Sequence, residues 1–271
     1  MLKFLRTRLF YLVLPVSVAL LGAGLFATGI ALALRSTYGQ PLASPEAPLR
    51  VREPQPEQRR TRDVRLVALG DSIAQGTGDT VRGGLAARVG KLLEGRGLVV
   101  SVVNLGVGGS ETSELLAQLE RPETERQVSQ ADVLLVSIGG NDLSHAIRPE
   151  IRATGTARSL TQAYEGAAKN FGAILRKLRR QNPKAAVRML GFYNPFEVSG
   201  AGEAEARREL LRWNTALETS ALESHGAIVI PSSDLFLGRR DFFATDQFHP
   251  GPRGYEELAR RLVATLPEFS R

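Results

Sequence analysis

Apolar residues follow two different patterns along the chain. From Leu9 to Leu34 they run for 26 residues without a charge. Beyond Asp63, short apolar runs alternate with stretches in which apolar side chains recur every three or four residues. The short runs at Arg65 to Leu69, Leu98 to Val103, Val133 to Ile138, Ala186 to Phe192 and Ala227 to Ile230 predict buried strands. Between them, Leu85, Val89, Leu92 and Leu93 stand at helical spacing until Gly95 and Gly97 end the pattern. Thr112 to Leu119 predicts another helix. A longer one carries Leu160, Ala163, Tyr164, Ala167, Phe171, Ile174, Leu175 and Leu178 and stops before Asn182-Pro183. Leu210, Trp213, Leu217 and Leu222 define the next inward face, and Tyr255, Leu258, Leu262, Val263 and Leu266 the last. Leu143 to Thr156 has little periodicity and is predicted to be a loop. Strand and helix alternate with no hairpin signal, so the expected fold is a five-stranded parallel sheet with helices on both faces.

The N-terminal run is of another kind. A helix of 26 residues reaches roughly 39 Å, against roughly 30 Å for a hydrocarbon core, and can span a membrane with tilt. Ala31-Leu32-Ala33 resembles a small-residue cleavage site, but the apolar stretch is far longer than a signal peptide's core. The expectation is therefore an uncleaved signal anchor over residues 1–35. Lys3, Arg6 and Arg8 precede the span and Arg35 follows it, which predicts a cytoplasmic amino end and a domain outside the bacterial cytoplasmic membrane, secreted if the segment is cut. Residues 36–62, with Pro41, Pro45, Pro48, Pro54 and Pro56 among charges, predict a disordered tether. Residues 63–271 form the expected globular domain.

Composition changes this picture little. The chain is 43% hydrophobic over 271 residues, enough for a sizeable core. Its net charge of +7 comes from scattered arginines with no aromatic-studded basic stripe, which argues against a nucleic-acid partner. The absence of cysteine excludes disulfides, a cysteine nucleophile and thiolate metal sites.

The candidate chemistry sits at the carboxyl ends of the strands, where parallel α/β folds keep their ligands. The first strand ends in Gly70-Asp71-Ser72, which offers a hydroxyl but is equally ordinary N-cap chemistry. The second runs into Asn104-Leu105-Gly106-Val107-Gly108-Gly109-Ser110. Glu111 stands where the third glycine of a dinucleotide fingerprint belongs, so the loop is better suited to presenting bare backbone amides, or is simply a tight turn. The third strand ends in Gly139-Gly140-Asn141-Asp142. Asp246-Gln247-Phe248-His249-Pro250 precedes the last helix. Of three histidines, His225 stands at a helix end and His145 lies close behind Asn141, which leaves His249 as the preferred base, with Asp246 placed to orient it.

Taken together, these four blocks resemble the GDSL, or SGNH, hydrolase family from about Asp63 to the C-terminus, with Ile73 in place of the family's usual leucine. The resemblance implies a three-layer, flavodoxin-like α/β/α fold and, with no metal or cofactor, a serine esterase acting on lipid or small acyl esters. It implies Ser72 as nucleophile, His249 as base and Asp246 as its orienter. The Ser72 and Gly109 amides and the Asn141 side chain would form the oxyanion hole. Gly70-x-Ser72-x-Ala74 lacks the last glycine of an α/β-hydrolase elbow. Phe196, Val198, Phe236, Phe242, Phe243 and Phe248 are candidates for an acyl pocket, or pack the loops. A cell-envelope carbohydrate O-acetylesterase, an acyltransferase and a catalytically inactive tethered binding domain are the alternative functions.

Overall fold

In the computed structural model, residues 63–81, 83–147, 160–195, 201–224 and 226–269 are described. Five strands, β1 (Asp63–Gly70), β2 (Val99–Gly106), β3 (Val133–Ser137), β4 (Ala186–Leu190) and β5 (Ala227–Ile230), form one sheet in the order β2-β1-β3-β4-β5. Every neighbouring pair is parallel, with Leu66 facing both Val102 and Val133. The chain steps from β1 outward to β2 and then back across β1 to β3. Such a reversal opens a crevice at the carboxyl ends of β1 and β3.

Alternation along the strands divides the core in two. Val67, Leu69, Leu134, Val136, Val187 and Met189 face one side. They are covered there by α3 (Thr112–Gln118), α4 (Pro122–Ser129), α6 (Leu160–Gln181) and α7 (Ala201–Glu223), through Leu115, Val128, Phe171, Leu175, Trp213 and Leu217. Leu66, Ala68, Val133, Leu135 and Ile230 face the other side, under α2 (Gly84–Glu94) and α9 (Pro252–Ala264) with Leu85, Val89, Tyr255, Leu258 and Leu262. With both faces buried, near-continuous apolar strands are the arrangement that removes most apolar surface from water. Two short helices, α1 (Ser72–Gln75) and α8 (Ser233–Phe236), follow β1 and β5 at the sheet's carboxyl edge.

Two local expectations are corrected, and one helix appears that the pattern does not announce. The stretch after Gly139 is not a loop from the outset: α5 (Gly140–Ile147) starts at the second glycine, and residues 148–159 lie outside the described ones. Its apolar residues, Leu143, Ala146 and Ile147, are too few for a periodicity to show, while Asp142 in the first turn favours a helix start. Helix α4 begins at Pro122, where proline is tolerated at N1, and carries too little apolar character to stand out in sequence. Leu222 does not point inward but is 80% exposed.

The transmembrane helix is also corrected. Among the described residues, no helix is long and apolar enough to cross a membrane. The two with sufficient length, α6 and α7, carry charged faces, with Lys169, Arg176 and Arg180 on one and Arg207, Arg208 and Arg212 on the other. Leu9 to Leu34 and the tether lie outside the described residues. The signal anchor, the membrane as partner and the single-pass placement at the cytoplasmic membrane are withdrawn together, and the function derived below uses none of them.

One buried charge cluster fastens the loop after α1 to α2 and α9. Arg88, 5% exposed, donates to Asp79 at 2.7 Å and 3.0 Å and to Glu256 at 2.6 Å. Asp79 also accepts from the Val81 and Gly84 amides. Burial alone would raise the Asp79 carboxyl, yet the Arg88 and backbone hydrogen bonds outweigh it and bring it down to about 2. Arg88→Met removes the cation and leaves the carboxylate buried, so it should destabilise the fold by about 3–5 kcal/mol in chemical denaturation. A loss below about 1 kcal/mol would mean that the cluster relaxes into water.

Candidate active site

The close approach of β1 to β3 fixes where Ser72 stands. Gly70 has φ +124°, and a Cβ there would lie 1.8 Å from the Ser137 carbonyl oxygen, so only glycine lets the chain turn at this point. Asp71 donates its N–H to Ser137 O (2.8 Å) and caps α1 by accepting the Ile73 N–H at 3.0 Å. The Ser137 hydroxyl donates to the same carboxyl oxygen, also at 3.0 Å. Asp71 caps the helix and Ser72 opens it at the sheet's carboxyl edge, so the N-cap chemistry and the offered hydroxyl of Gly70-Asp71-Ser72 occur together. Ser72's own N–H belongs to the first turn, where amides have no intrahelical partner.

Burial dominates the Asp71 carboxyl and pushes it to about 6, against opposing hydrogen bonds from Ile73, Ser137 and Ala74 and the charge of His249. The unfolded-state value is near 3.8. The folded protein therefore holds an extra proton between roughly pH 4 and 6, and stability falls as pH rises through that window and levels off above it. Two pKa units correspond to about 3 kcal/mol. Asp71→Asn keeps an acceptor for Ile73 and Ser137, so the variant should lose this slope in denaturation measured from pH 4 to 7. An equal slope in both proteins would place the titration elsewhere.

His249 reaches Ser72 from the loop before α9. Its Nε2 lies 2.8 Å from Ser72 Oγ, and its Nδ1 lies 2.6 Å from Asp246 Oδ2. Asp246 Oδ1 accepts the N–H groups of both Phe248 and His249 at 3.0 Å, closing a tight turn in which Gln247 takes a left-handed φ of +53°. Partial burial would raise the Asp246 carboxyl, but the His249 side chain and these two amides together hold it below its ordinary value. An ionised carboxylate only accepts, so Nδ1 carries the proton toward Asp246 and Nε2 is left to accept from the Ser72 hydroxyl.

Asn141, in the first turn of α5, donates its side-chain amide to Ser110 O at 2.9 Å. Gly109, with φ +84°, immediately precedes that acceptor, so Ser110 joins the two. The loop's near end is tied to α1: Asn104 donates to the carbonyls of Ala74 and Gln75, and its own oxygen accepts the Gly106 N–H. His145 stands apart from Ser72, paired with Glu111 at 2.8 Å. His225 lies outside the described residues.

A cavity opens beside Ser72. Its walls include Ser72, Asn141, Ile73, Ile138, Leu143, Leu190, Phe192, Tyr193, Pro195 and Phe248. Of the four pocket candidates among the described residues, Phe248 alone is placed on this wall. Phe236 and Phe242 are buried in the core under α9, and Phe243 packs against it; Phe196 and Val198 lie outside the described residues. Phe236 instead stacks on Tyr193 at 4.1 Å, and the Tyr193 hydroxyl donates to Phe248 O at 3.0 Å. Burial raises the Tyr193 phenol well above its usual range, so it remains a neutral donor. Phe192, which the strand pattern left at the end of β4, packs edge-on against Trp213 and forms part of the wall. Ser137 and Thr112, whose hydroxyls bond Asp71 and Asp142, carry no sequence signal because their partners are 66 and 30 residues away.

The chain is similar to several known proteins. Residues 68–257 match the GDSL-like Lipase/Acylhydrolase family. The chain is 29% identical over 211 residues to the spore germination lipase LipC of Bacillus licheniformis, covering 74% of this chain and 95% of that protein. It is 27% identical over 215 residues to YpmR of Bacillus subtilis, covering 78% and 84%. Among solved structures, the lipase Lip_vut3 from a goat rumen metagenome superposes with a TM-score of 0.65 at 31% identity, covering 74% of this chain and 96% of that one. With a parallel five-stranded α/β sheet, a serine at its carboxyl edge and these relatives, the chain belongs to the GDSL-like lipase/acylhydrolase family and is a serine hydrolase acting on ester bonds.

Proposed function

We propose that this protein hydrolyses carboxylic esters with an apolar acyl group by two-step acyl transfer at Ser72. The observation that carries the reading is the unbroken hydrogen-bond relay from Ser72 Oγ through His249 to Asp246. His249 Nε2 takes the hydroxyl proton as Ser72 Oγ bonds to the ester carbonyl carbon, and the carbonyl electrons move onto oxygen. The Ser72 and Gly109 N–H groups and the Asn141 amide stabilise that oxyanion. On collapse the C–O bond to the alcohol breaks, and the proton on Nε2 passes to the leaving alkoxide. Water then gives a proton to Nε2 as its oxygen bonds to the acyl carbon; the acyl bond to Ser72 Oγ breaks, Oγ takes the proton back from Nε2, and the acid leaves. Asp246 holds the imidazole tautomer throughout. Ile138, Leu143, Leu190, Phe192 and Phe248 suit the cavity beside Ser72 to the acyl chain.

Labelling with a fluorophosphonate tests the reading. One adduct per chain should form, map to Ser72 and be absent in Ser72→Ala; an adduct on another residue would overturn it. The oxyanion role makes a separate prediction. Asn141→Ala removes a donor used mainly after the oxyanion forms, so kcat should fall about 10²- to 10³-fold with KM little changed. A rise in KM alone would make Asn141 a binding residue.

A further inference from the structure

We infer that His145 and Glu111 form a positioning clamp that sets the aim of the oxyanion donors. The inference rests on the reading of Ser72, Gly109 and Asn141 given above. Three consecutive residues that end the glycine loop and open α3 are gripped by three residues of α5. Ser110 O accepts from Asn141 Nδ2 at 2.9 Å, Glu111 Oε1 meets His145 Nδ1 at 2.8 Å, and Thr112 gives its N–H and hydroxyl to Asp142 at 2.9 Å and 2.7 Å. Asn141 and His145 are four residues apart on one helix and so share a face, which puts the second contact directly beside the first.

The three contacts differ in kind. Asp142 is 1% exposed, and its pair with Thr112, which also accepts from Asn170 on α6, is core structure. The Asn141 bond is the donor's own tether: with one amide hydrogen on Ser110 O, the other has a fixed direction. The His145–Glu111 pair lies toward solvent, with the imidazole 42% and the carboxylate 16% exposed. A half-exposed pair contributes little to stability. Its leverage is geometric. Glu111 is the N-cap of α3, where its side chain accepts an amide of the first turn and Glu114 bonds back to its N–H at 2.8 Å. Holding Glu111 to α5 therefore fixes the entry of α3 and the peptide that follows Gly109, relative to Asn141. A rate that depends on several aligned donors is sensitive to shifts well under 1 Å.

The test uses the full chain and an activated acyl ester, with rates normalised to active sites counted by fluorophosphonate. His145→Ala should lower kcat about tenfold, with KM within twofold and little change in Tm. Glu111→Gln, which retains an oxygen for the cap, should show a similar but smaller fall. His145→Asn places an amide nitrogen where Nδ1 stood and should restore kcat to within threefold of the parent. Unchanged kcat per active site in His145→Ala, a rise confined to KM, or failure of His145→Asn to rescue would each overturn the clamp. Turnover that survives in Ser72→Ala would instead overturn the serine mechanism, so the two failures are distinguishable.

Discussion

Replacing Ser72 by alanine is expected to lower kcat for a soluble ester by about 10⁶-fold while the protein stays folded. The side chain removed is small and sits at the first position of α1, where alanine is well tolerated. The turn that presents it is held by Asp71, Gly70 and Ser137 rather than by the hydroxyl. The His249–Asp246 pair is left intact, and His249 loses only the partner at 2.8 Å. Residual turnover would come from the oxyanion donors and from binding alone. Steady-state kinetics with circular dichroism as a folding control would measure this, and a fall of less than tenfold would remove Ser72 from the chemistry.

Asp246→Asn is expected to cost about 10⁴-fold in kcat. One carboxyl oxygen accepts the Phe248 and His249 N–H groups, and the asparagine oxygen will stay there because an NH2 group cannot accept. The new amide nitrogen must then face His249 Nδ1. It donates where the carboxylate accepted, so the imidazole proton moves to Nε2, which can no longer take a proton from Ser72. The turn and the fold survive while the base is in the wrong tautomer. Kinetics of the variant, with Asp246→Ala beside it, measure the effect; an Asp246→Asn rate within tenfold of the parent would mean that Asp246 only shapes the loop.

The chemistry was easier to read than its surroundings. Ser72 and Asn141 follow glycine-marked strand ends at the sheet's carboxyl edge and His249 stands just before the Pro250-Gly251 that leads into the last helix, and that punctuation is visible along the chain. The parallel sheet also follows once strand and helix alternate, whereas the strand order β2-β1-β3-β4-β5 leaves no local mark in the sequence. The cavity wall did not, because strand ends such as Ile138, Leu190 and Phe192 read as core, and their exposure to the cavity depends on where the helices stop short. Phe236 and Phe242 lie in segments that look like open loops, yet α8 and the 3₁₀ turn at Arg240–Phe242 fold them back beneath α9. His145 lies too close behind Asn141 to be an independently mounted base, and that same closeness places it on Glu111, a partner 34 residues away that no local pattern announces.

The central claim is that an acyl group passes through Ser72, and trapping that intermediate tests it most directly. Enzyme mixed with excess p-nitrophenyl acetate, quenched in acid within milliseconds and digested, should carry one acetyl group on the peptide containing Ser72. The amount should match the burst of nitrophenolate. Turnover with no acetylated Ser72 and no burst under conditions where deacylation limits the rate, or an acetyl group on another residue that turns over at the catalytic rate, would contradict the mechanism.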